Sequence, residues 1–222
     1  MIVAMPPNDV AKILDSELLP PSPELRQAVA VVCARDPTFQ RIEVEAGPLT
    51  VRAWAPGFPS LVRIILGQQL SSRAAQAIFQ RLQKELELTP EAIAAAPATT
   101  LQRVGLSRAK IATCQRLSTA ISLGQLSLET LATLPDQEAI AHLTQIKGIG
   151  VWTAEVYLLF CLQRLSTFPA SDLAIQISYQ RLHNLESRPM RQDLLASTAS
   201  LHPCRGAVAH LLWHYYRHLA QQ

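Results

Sequence analysis

The sequence lacks the features that would place the chain in a membrane or outside the cell. No apolar run approaches the length needed to cross a bilayer. The first nine residues contain neither a basic region nor the apolar core of a secretory signal. The cysteines are scattered singly, which favours reduced thiols over disulfides and provides neither a close pair for zinc nor a cluster for iron–sulfur ligation. They are Cys33, Cys114, Cys161 and Cys204. We therefore expect a cytoplasmic protein that contacts no membrane.

Charge is also scarce, and it gives little indication of a partner. Charged residues are 17% of the chain and the formal net charge is +3, whereas hydrophobic residues are 49%. The 222 residues are enough for a substantial core, in one domain or two closely packed ones. This weak basicity permits nucleic-acid binding without arguing for it, because a basic groove would have to come from local clustering.

The pattern along the chain predicts an all-α protein of about ten short helices, since neither βαβ alternation nor a fixed repeat is present. Residues 1–22 are expected to be an irregular lead-in, followed by a helix from Glu24 to Ala34 that Ser22 caps. Residues 35–57 are broken by prolines and glycines and are interpreted as loop. Further helices are expected at 58–67, 72–86, 90–96, 99–104, 107–123, 127–134, 135–145, 151–160, 172–185, 190–200 and 204–220.

The most informative stretch runs from residue 143 to residue 172. Gly148 and Gly150 separate two apolar segments, and the second of these predicts a helix whose first turn has unpaired N–H groups. Such a turn binds anions, and a DNA phosphate is the anion we expect. On the two glycines alone, a tight helix–helix turn that needs glycine only for packing is an equal alternative.

Asp172 ends this stretch, three residues after Pro169. By itself, an aspartate at such a boundary is more simply interpreted as the cap of the next helix. A carboxylate at a helix N-terminus also stays ionised, so the same side chain can be both a cap and a catalyst.

The order of helix, Ile-Lys-Gly-Ile-Gly and helix resembles the helix-hairpin-helix motif, in which hairpin amides hold a phosphate of one DNA strand. With Pro169 and Asp172 added, it resembles the signature of base-excision DNA glycosylases. The resemblance implies that Asp172 is catalytic: it would stabilise an oxocarbenium-like sugar and orient the attacking water. It also implies DNA binding by Lys147, Gly148 and Gly150.

The same resemblance implies one ion and no other cofactor. A monovalent cation, Na⁺ or K⁺, would bind to carbonyl oxygens of the hairpin when DNA is present. The carbonyls implied are those of Thr144, Ile146 and Ile149.

One position separates two branches of this superfamily. Members that also cleave the DNA backbone carry a lysine two residues after the second hairpin glycine, where this chain has Trp152. Without that amine no Schiff base forms, so we expect a monofunctional hydrolase that leaves an abasic site.

An aromatic residue at this position resembles the 3-methyladenine DNA glycosylase II family, the alkylation-repair branch. The segment from Pro203 to Trp213 resembles that family's last-helix segment and places Trp213 beside Trp152 in the base pocket. Indole faces attract flat cations such as N-alkylated purines, although core packing remains the alternative for both tryptophans. Val156 and Leu173 stand where some relatives have tyrosines, which implies a less aromatic pocket.

Two further segments resemble DNA-contacting parts of the family. Residues 64–71 match a loop that faces the minor groove, and a side chain of this loop fills the gap left by an extruded base. The candidate DNA-binding residues of this loop are Gln68, Gln69 and Leu70. The inserted side chain is expected to be Gln69 or Leu70, with Gln69 preferred. Residues 104–110 match a segment whose Ser107, Arg108 and Lys110 would contact phosphates, although an exposed helix start explains them nearly as well.

The resemblance covers residues 58–216 and implies two helical subdomains around a central cleft, in a compact form without the family's N-terminal β domain. Residues 1–57 would pack with the C-terminal helices, residues 58–165 would form the subdomain containing the motif at 143–160, and residues 166–222 would complete the second. The expected activity is hydrolytic release of 3-methyladenine or 7-methylguanine from double-stranded DNA by a monomer. The alternatives are release of deaminated or oxidised bases, and a non-catalytic DNA-binding module.

Three histidines lie four residues apart near the C-terminus, at His210, His214 and His218. They share one helix face, which is one way to build a metal site. No carboxylate or cysteine completes a ligand set, so we expect surface or edge histidines.

Overall fold

The structure is a computed structural model that describes residues 18–221. Most of the predicted lead-in, residues 1–17, lies outside the described residues. The helices are α1 (Pro23–Arg35), α2 (Gln40–Ala46), α3 (Phe58–Gly67), α4 (Ser72–Glu85), α5 (Pro90–Ala95), α6 (Ala98–Arg103), α7 (Arg108–Ser122), α8 (Leu128–Thr133), α9 (Asp136–Thr144), α10 (Val151–Phe160), α11 (Leu173–Leu182), α12 (Arg191–Ser197) and α13 (Arg205–Leu219). Two 3₁₀ turns, Pro37–Phe39 and Ala199–Leu201, complete the regular structure.

The all-α prediction is confirmed for this part of the chain. Its β-structure is one isolated antiparallel bridge between Leu19 and Val51. Two predicted helix starts are also confirmed. The Ser22 hydroxyl accepts a hydrogen bond from the Leu25 amide at 3.2 Å, and the Thr89 hydroxyl accepts one from Ala92 at 3.1 Å. Each hydroxyl satisfies an amide that the first helical turn leaves unpaired.

Three predictions about helix extent are wrong. The helix expected at 190–200 ends at Ser197, and a separate 3₁₀ turn, Ala199–Leu201, follows it. Residues 35–57 were expected to be loop, but they contain α2. Asp36 accepts a hydrogen bond from the Thr38 amide at 3.0 Å, and the 3₁₀ turn that starts there continues into the helix. The helix expected to reach Leu185 ends at Leu182, because the backbone turns left-handed at Asn184, with φ of 52°.

The chain divides into two compact units. The first contains α3 to α10, from residues 54–162, and the second contains α1, α2 and α11 to α13, from residues 18–53 and 163–221 of the described chain. The expected subdomain boundaries and the central cleft stay predictions. No helix in residues 18–221 is long and apolar enough to cross a membrane.

Each unit is organised around a buried apolar helix. In the first unit, α10 is buried from Thr153 to Phe160, and most of α3 is buried as well. A helix that is apolar on all sides has to be surrounded by other elements, which explains its central place. In the second unit, α13 packs against α1, α2 and α11 and is buried from Gly206 to Leu212.

Two of the three spaced histidines are buried, so the expectation of surface histidines is wrong. His210 is 6% exposed and His214 is 7% exposed. Burial lowers the pKa of His210 to about 3, with a further contribution from the positive Arg217, so the imidazole is neutral near pH 7. No group of three His, Cys, Asp or Glu side chains in residues 18–221 is arranged to hold a metal ion.

His210 should make folding sensitive to mild acid. Its pKa is depressed in the folded state, so between pH 6.5 and about 3 the unfolded chain binds a proton that the folded chain does not. The free energy of unfolding therefore falls as pH decreases, by about 2 kcal/mol from this residue between pH 7 and pH 5. Urea unfolding at both pH values should show a loss smaller by that amount in His210→Gln. The control is His142→Gln at an exposed position, which should lose as much as the wild type. An equally steep loss in His210→Gln would contradict the assignment.

Candidate functional site

The predicted hairpin lies between α9 and α10 in the first unit. The Ile149 amide donates to the Ile146 carbonyl at 2.9 Å, and the Ile149 side chain is buried. Lys147, Gly148 and Gly150 are exposed. Gly150 occupies the N-cap position of α10 and has no side chain to bond the first amides of that helix. The hairpin therefore presents exposed backbone and one lysine at the positive end of a helix dipole.

The two hairpin glycines have different structural roles. Gly148 has a φ of +106°, and a β-carbon built on it would lie 2.0 Å from Oγ1 of Thr113 in α7. Gly150 has an ordinary φ of −92°, and nothing lies within 4 Å of the equivalent position. Gly148 is thus required for both backbone conformation and close packing. No steric reason requires glycine at residue 150.

The Gln68 turn joins the hairpin in the same unit. The Gln68 side-chain amide donates to the Gly148 carbonyl at 3.1 Å and to Oγ1 of Thr153 at 2.9 Å. Gln69 is exposed and has a left-handed φ of 56°, and Leu70 is 42% exposed. The structure therefore assigns Gln68 a contact within the protein and leaves the next two side chains projecting from the turn.

The predicted phosphate-binding residues at 107–110 begin α7. Ser107 is its N-cap and accepts a hydrogen bond from the Lys110 amide at 3.3 Å. The Lys110 ammonium donates to the Leu66 carbonyl at 2.7 Å, near the end of α3. Arg108 is exposed. Helix capping and packing account for Ser107 and Lys110, and phosphate binding by all three stays a prediction.

Trp152 and the three predicted cation ligands also lie at the hairpin. Trp152 is the second residue of α10 and is half-buried. Thr144 ends α9, and the Ile146 and Ile149 carbonyls lie in the turn that follows. The hydrogen bond from Ile149 occupies one of the two lone pairs of the Ile146 oxygen, so that oxygen retains capacity for a cation. At the two positions where some relatives have tyrosine, Val156 is buried and Leu173 is 52% exposed.

Asp172 lies in the second unit, at the N-cap of α11. This position agrees with its interpretation as the cap of the next helix. Its Oδ1 atom accepts hydrogen bonds from the Ala174 amide at 2.9 Å and the Ile175 amide at 3.1 Å. The Trp213 indole Nε1 donates to the same oxygen at 3.1 Å. The side chain is half-buried. Two predicted site residues that are 41 positions apart in sequence are therefore hydrogen-bonded to each other.

Sequence reasoning missed a cation in the second unit. Burial lowers the pKa of Arg52, and the smaller opposing effect is the attraction of the Asp172 carboxylate. The neighbouring loop is tied to α13: His214 Nε2 donates to the Gly47 carbonyl at 3.1 Å, and Arg217 donates to the Thr50 carbonyl at 2.6 Å. Nothing in the local sequence marked Arg52, because its proximity to Asp172 arises only from folding.

The all-α fold and the hairpin with its Gly148–Gly150 turn define a known class. Residues 62–203 match the family described as HhH-GPD superfamily base excision DNA repair protein. The chain belongs to this superfamily.

The chain is also similar to individual proteins. The chain is 36% identical to DNA-3-methyladenine glycosylase 1 of Schizosaccharomyces pombe over 161 residues, which are 70% of this chain and 71% of that protein. The structure of an S. pombe 3-methyladenine DNA glycosylase in complex with abasic DNA matches with a TM-score of 0.78 and 33% identity, over 84% of this chain and 95% of that one. A DNA-3-methyladenine glycosidase from Bacillus halodurans matches with a TM-score of 0.72 and 29% identity, over 90% and 92%.

Proposed function

We propose that the protein is a monofunctional DNA glycosylase that hydrolyses the N-glycosidic bond of alkylated purines in double-stranded DNA, as a base excision repair enzyme. The observation that carries the proposal is the Asp172 carboxylate, held by three donors at the N-terminus of α11 in a member of the HhH-GPD superfamily. The proteins named 3-methyladenine DNA glycosylase among its relatives support the substrate class.

The chemistry requires little activation of the leaving base. A purine alkylated at N3 or N7 is cationic, so when the bond from C1′ to N9 breaks, its electron pair neutralises the base and no proton has to be supplied. The sugar becomes oxocarbenium-like, and a nearby anion stabilises that charge. Water then adds to C1′ and loses a proton, for which the Asp172 carboxylate is the base. The products are a neutral base and an abasic site.

Trp152 supports hydrolysis without strand cleavage. A lyase mechanism needs an amine to attack C1′ and form a Schiff base, and an indole has no such nucleophile. The flat ring of Trp152 provides a face on which a cationic base can stack. The same residue therefore argues against lyase chemistry and for an alkylated substrate.

Release of free base tests the proposal directly. Duplex DNA carrying single 3-methyladenine, 7-methylguanine, hypoxanthine or 8-oxoguanine lesions is incubated with the protein, and released bases and abasic sites are quantified. We expect release of the cationic bases, and no covalent complex when borohydride is added. Exclusive release of uncharged lesions would assign a different substrate class. Binding to every duplex without any release would leave a DNA-binding module.

The hairpin is the proposed binding site for a DNA phosphate. Its exposed lysine should therefore contribute measurably to the salt dependence of DNA binding. Lys147→Ala should weaken duplex binding and reduce the slope of log K against log salt concentration by about 1, because one phosphate contact is lost. Fluorescence anisotropy over a range of salt concentrations measures that slope. Lys84→Ala is the control: Lys84 is another exposed lysine of this unit, outside the hairpin, and its removal should leave the slope unchanged. An unchanged slope in Lys147→Ala would remove Lys147 from the contact.

We propose that the hairpin carbonyls of Thr144, Ile146 and Ile149 hold Na⁺ or K⁺ when DNA is bound. Backbone carbonyl oxygens are the ligands that these cations take in proteins. Such an ion would attract a DNA phosphate to the hairpin. It would add positive charge without taking part in bond cleavage.

A further inference from the structure

The indole ring of Trp213 has two separate chemical features, its aromatic face and its N–H edge. The face can stack on a base, whereas the N–H group is a hydrogen-bond donor and never an acceptor. In the structure the N–H edge points at Oδ1 of Asp172, at 3.1 Å. A donor aimed at a carboxylate makes a charge-assisted bond, which is stronger than a bond between neutral groups.

The donors on Oδ1 come from two different helices. The Ala174 and Ile175 amides belong to α11, which Asp172 itself caps, so they fix the oxygen relative to its own helix. Trp213 belongs to α13, which packs along α11. A donor from a second helix restricts the rotation of the carboxylate about its side-chain bonds. These three bonds all use Oδ1.

The Trp213 ring is itself held by a contact with a neighbouring aromatic ring. His210 lies one turn earlier on α13 and meets the indole edge to face, with ring centroids 6.4 Å apart and an interplanar angle of 71°. His210 is buried and uncharged near pH 7. This ring contact therefore adds no charge next to the Asp172 carboxylate.

We infer that Trp213 is a positioning residue for Asp172, acting through its indole N–H in the base-release reaction. This inference rests on the proposed function. An uncharged donor suits the task, because it orients the carboxylate without adding a second positive charge to that of Arg52, which would further reduce its attraction for the oxocarbenium-like sugar. Stacking by the ring face is a separate role that this bond neither requires nor excludes.

Two replacements of Trp213 distinguish the role of its N–H donor from the role of its aromatic face. Trp213→Phe keeps an aromatic face and loses the donor. A benzothiophene ring in place of the indole, introduced as a noncanonical residue, puts sulfur at the N–H position and keeps the ring shape. The measurements are the single-turnover rate of base release at saturating enzyme, the affinity for lesion duplex, and inhibition by free 3-methyladenine.

The control removes a comparable bond from the same helix. The Tyr215 hydroxyl donates to Oε2 of Glu45 at 2.7 Å. Tyr215→Phe therefore deletes a donor to a carboxylate in α13 at a place outside the proposed site. Circular dichroism confirms that each variant is folded at the assay temperature.

We expect both Trp213 replacements to lower the single-turnover rate about tenfold to a hundredfold. The reduction should be equal for 3-methyladenine and 7-methylguanine, while duplex affinity and inhibition by free base stay within about twofold of the wild type. Tyr215→Phe should react at the wild-type rate.

Three results would overturn the inference. The first is a rate within twofold of the wild type in the benzothiophene variant. The second is a rate loss matched by equal loss of free-base inhibition, since that pattern assigns Trp213 to stacking alone. The third is an equal loss in Tyr215→Phe. Absence of base release by the wild type would instead reject the proposed function, and the inference with it.

Discussion

Asp172→Asn is expected to reduce release of alkylated bases by about a hundredfold or more, with little change in fold or DNA affinity. The carboxylate supplies the negative charge that stabilises the sugar cation, and electrostatic groups of this kind are worth about 10²–10³ in rate. Asparagine is as good an N-cap as aspartate. Its side-chain oxygen can still accept the bonds from Ala174, Ile175 and Trp213. The variant thus removes the charge and retains the cap.

The matched control for this experiment is Asp193→Asn. Asp193 lies in the first turn of α12, in the same unit, and its carboxylate accepts a hydrogen bond from the Met190 amide at 2.8 Å. It is a helix-end carboxylate like Asp172, without a predicted catalytic role. Base release by this variant should equal that of the wild type. If Asp172→Asn retains full activity while Asp193→Asn also does, Asp172 is only a cap and the hydrolytic mechanism needs another carboxylate.

Gly148→Ala is expected to destabilise the protein by about 4 kcal/mol and to abolish tight duplex binding. A residue with a β-carbon at a φ of +106° is strained by about 1–3 kcal/mol. The added carbon would also stand 2.0 Å from Oγ1, 2.8 Å from Cγ2 and 2.9 Å from Cβ of Thr113. Overpacking of this kind costs about 1–3 kcal/mol more. Denaturant unfolding measures the stability and anisotropy measures the DNA affinity.

Gly150→Ala is the internal control, two residues away in the same hairpin. Its φ is ordinary and nothing lies within 4 Å of the new carbon. The substitution retains the backbone amide, so stability should change by less than about 1 kcal/mol. Equal destabilisation by the two substitutions would show that the contact with Thr113 does not distinguish the hairpin glycines.

Much of the fold could be predicted from local sequence. Ser22 and Thr89 start helices by bonding amides three residues ahead, and α3 and α10 have the predicted bounds because long apolar runs identify them. Where the prediction was wrong, a local signal was misinterpreted. Asp36 followed by Pro37 suggests a break in regular structure, although an aspartate before a proline is also a good start for a helical turn.

The sequence predicts which residues belong to the candidate site, but it does not predict how they are arranged in space. The order of Gly148, Gly150, Trp152 and Asp172 led to the superfamily, and the comparison with known families confirms that membership. The sequence placed Gln68 with the DNA-facing residues. The structure shows its side chain bonded to the hairpin. A side-chain amide can serve either role, and the residue type alone does not distinguish them.

The sequence by itself determined most of the helices, the family, the missing amine at Trp152 and the carboxylate at Asp172, because each depends on residue type at a short spacing. Only the tertiary structure decided that Gly148 differs from Gly150, since the deciding neighbour, Thr113, comes from α7. Only the tertiary structure directed the N–H edge of Trp213 at Oδ1 of Asp172. Such contacts depend on how one helix is rotated and how closely it packs against another. Many side chains that are distant in sequence determine this packing together, so no local sequence pattern predicts it.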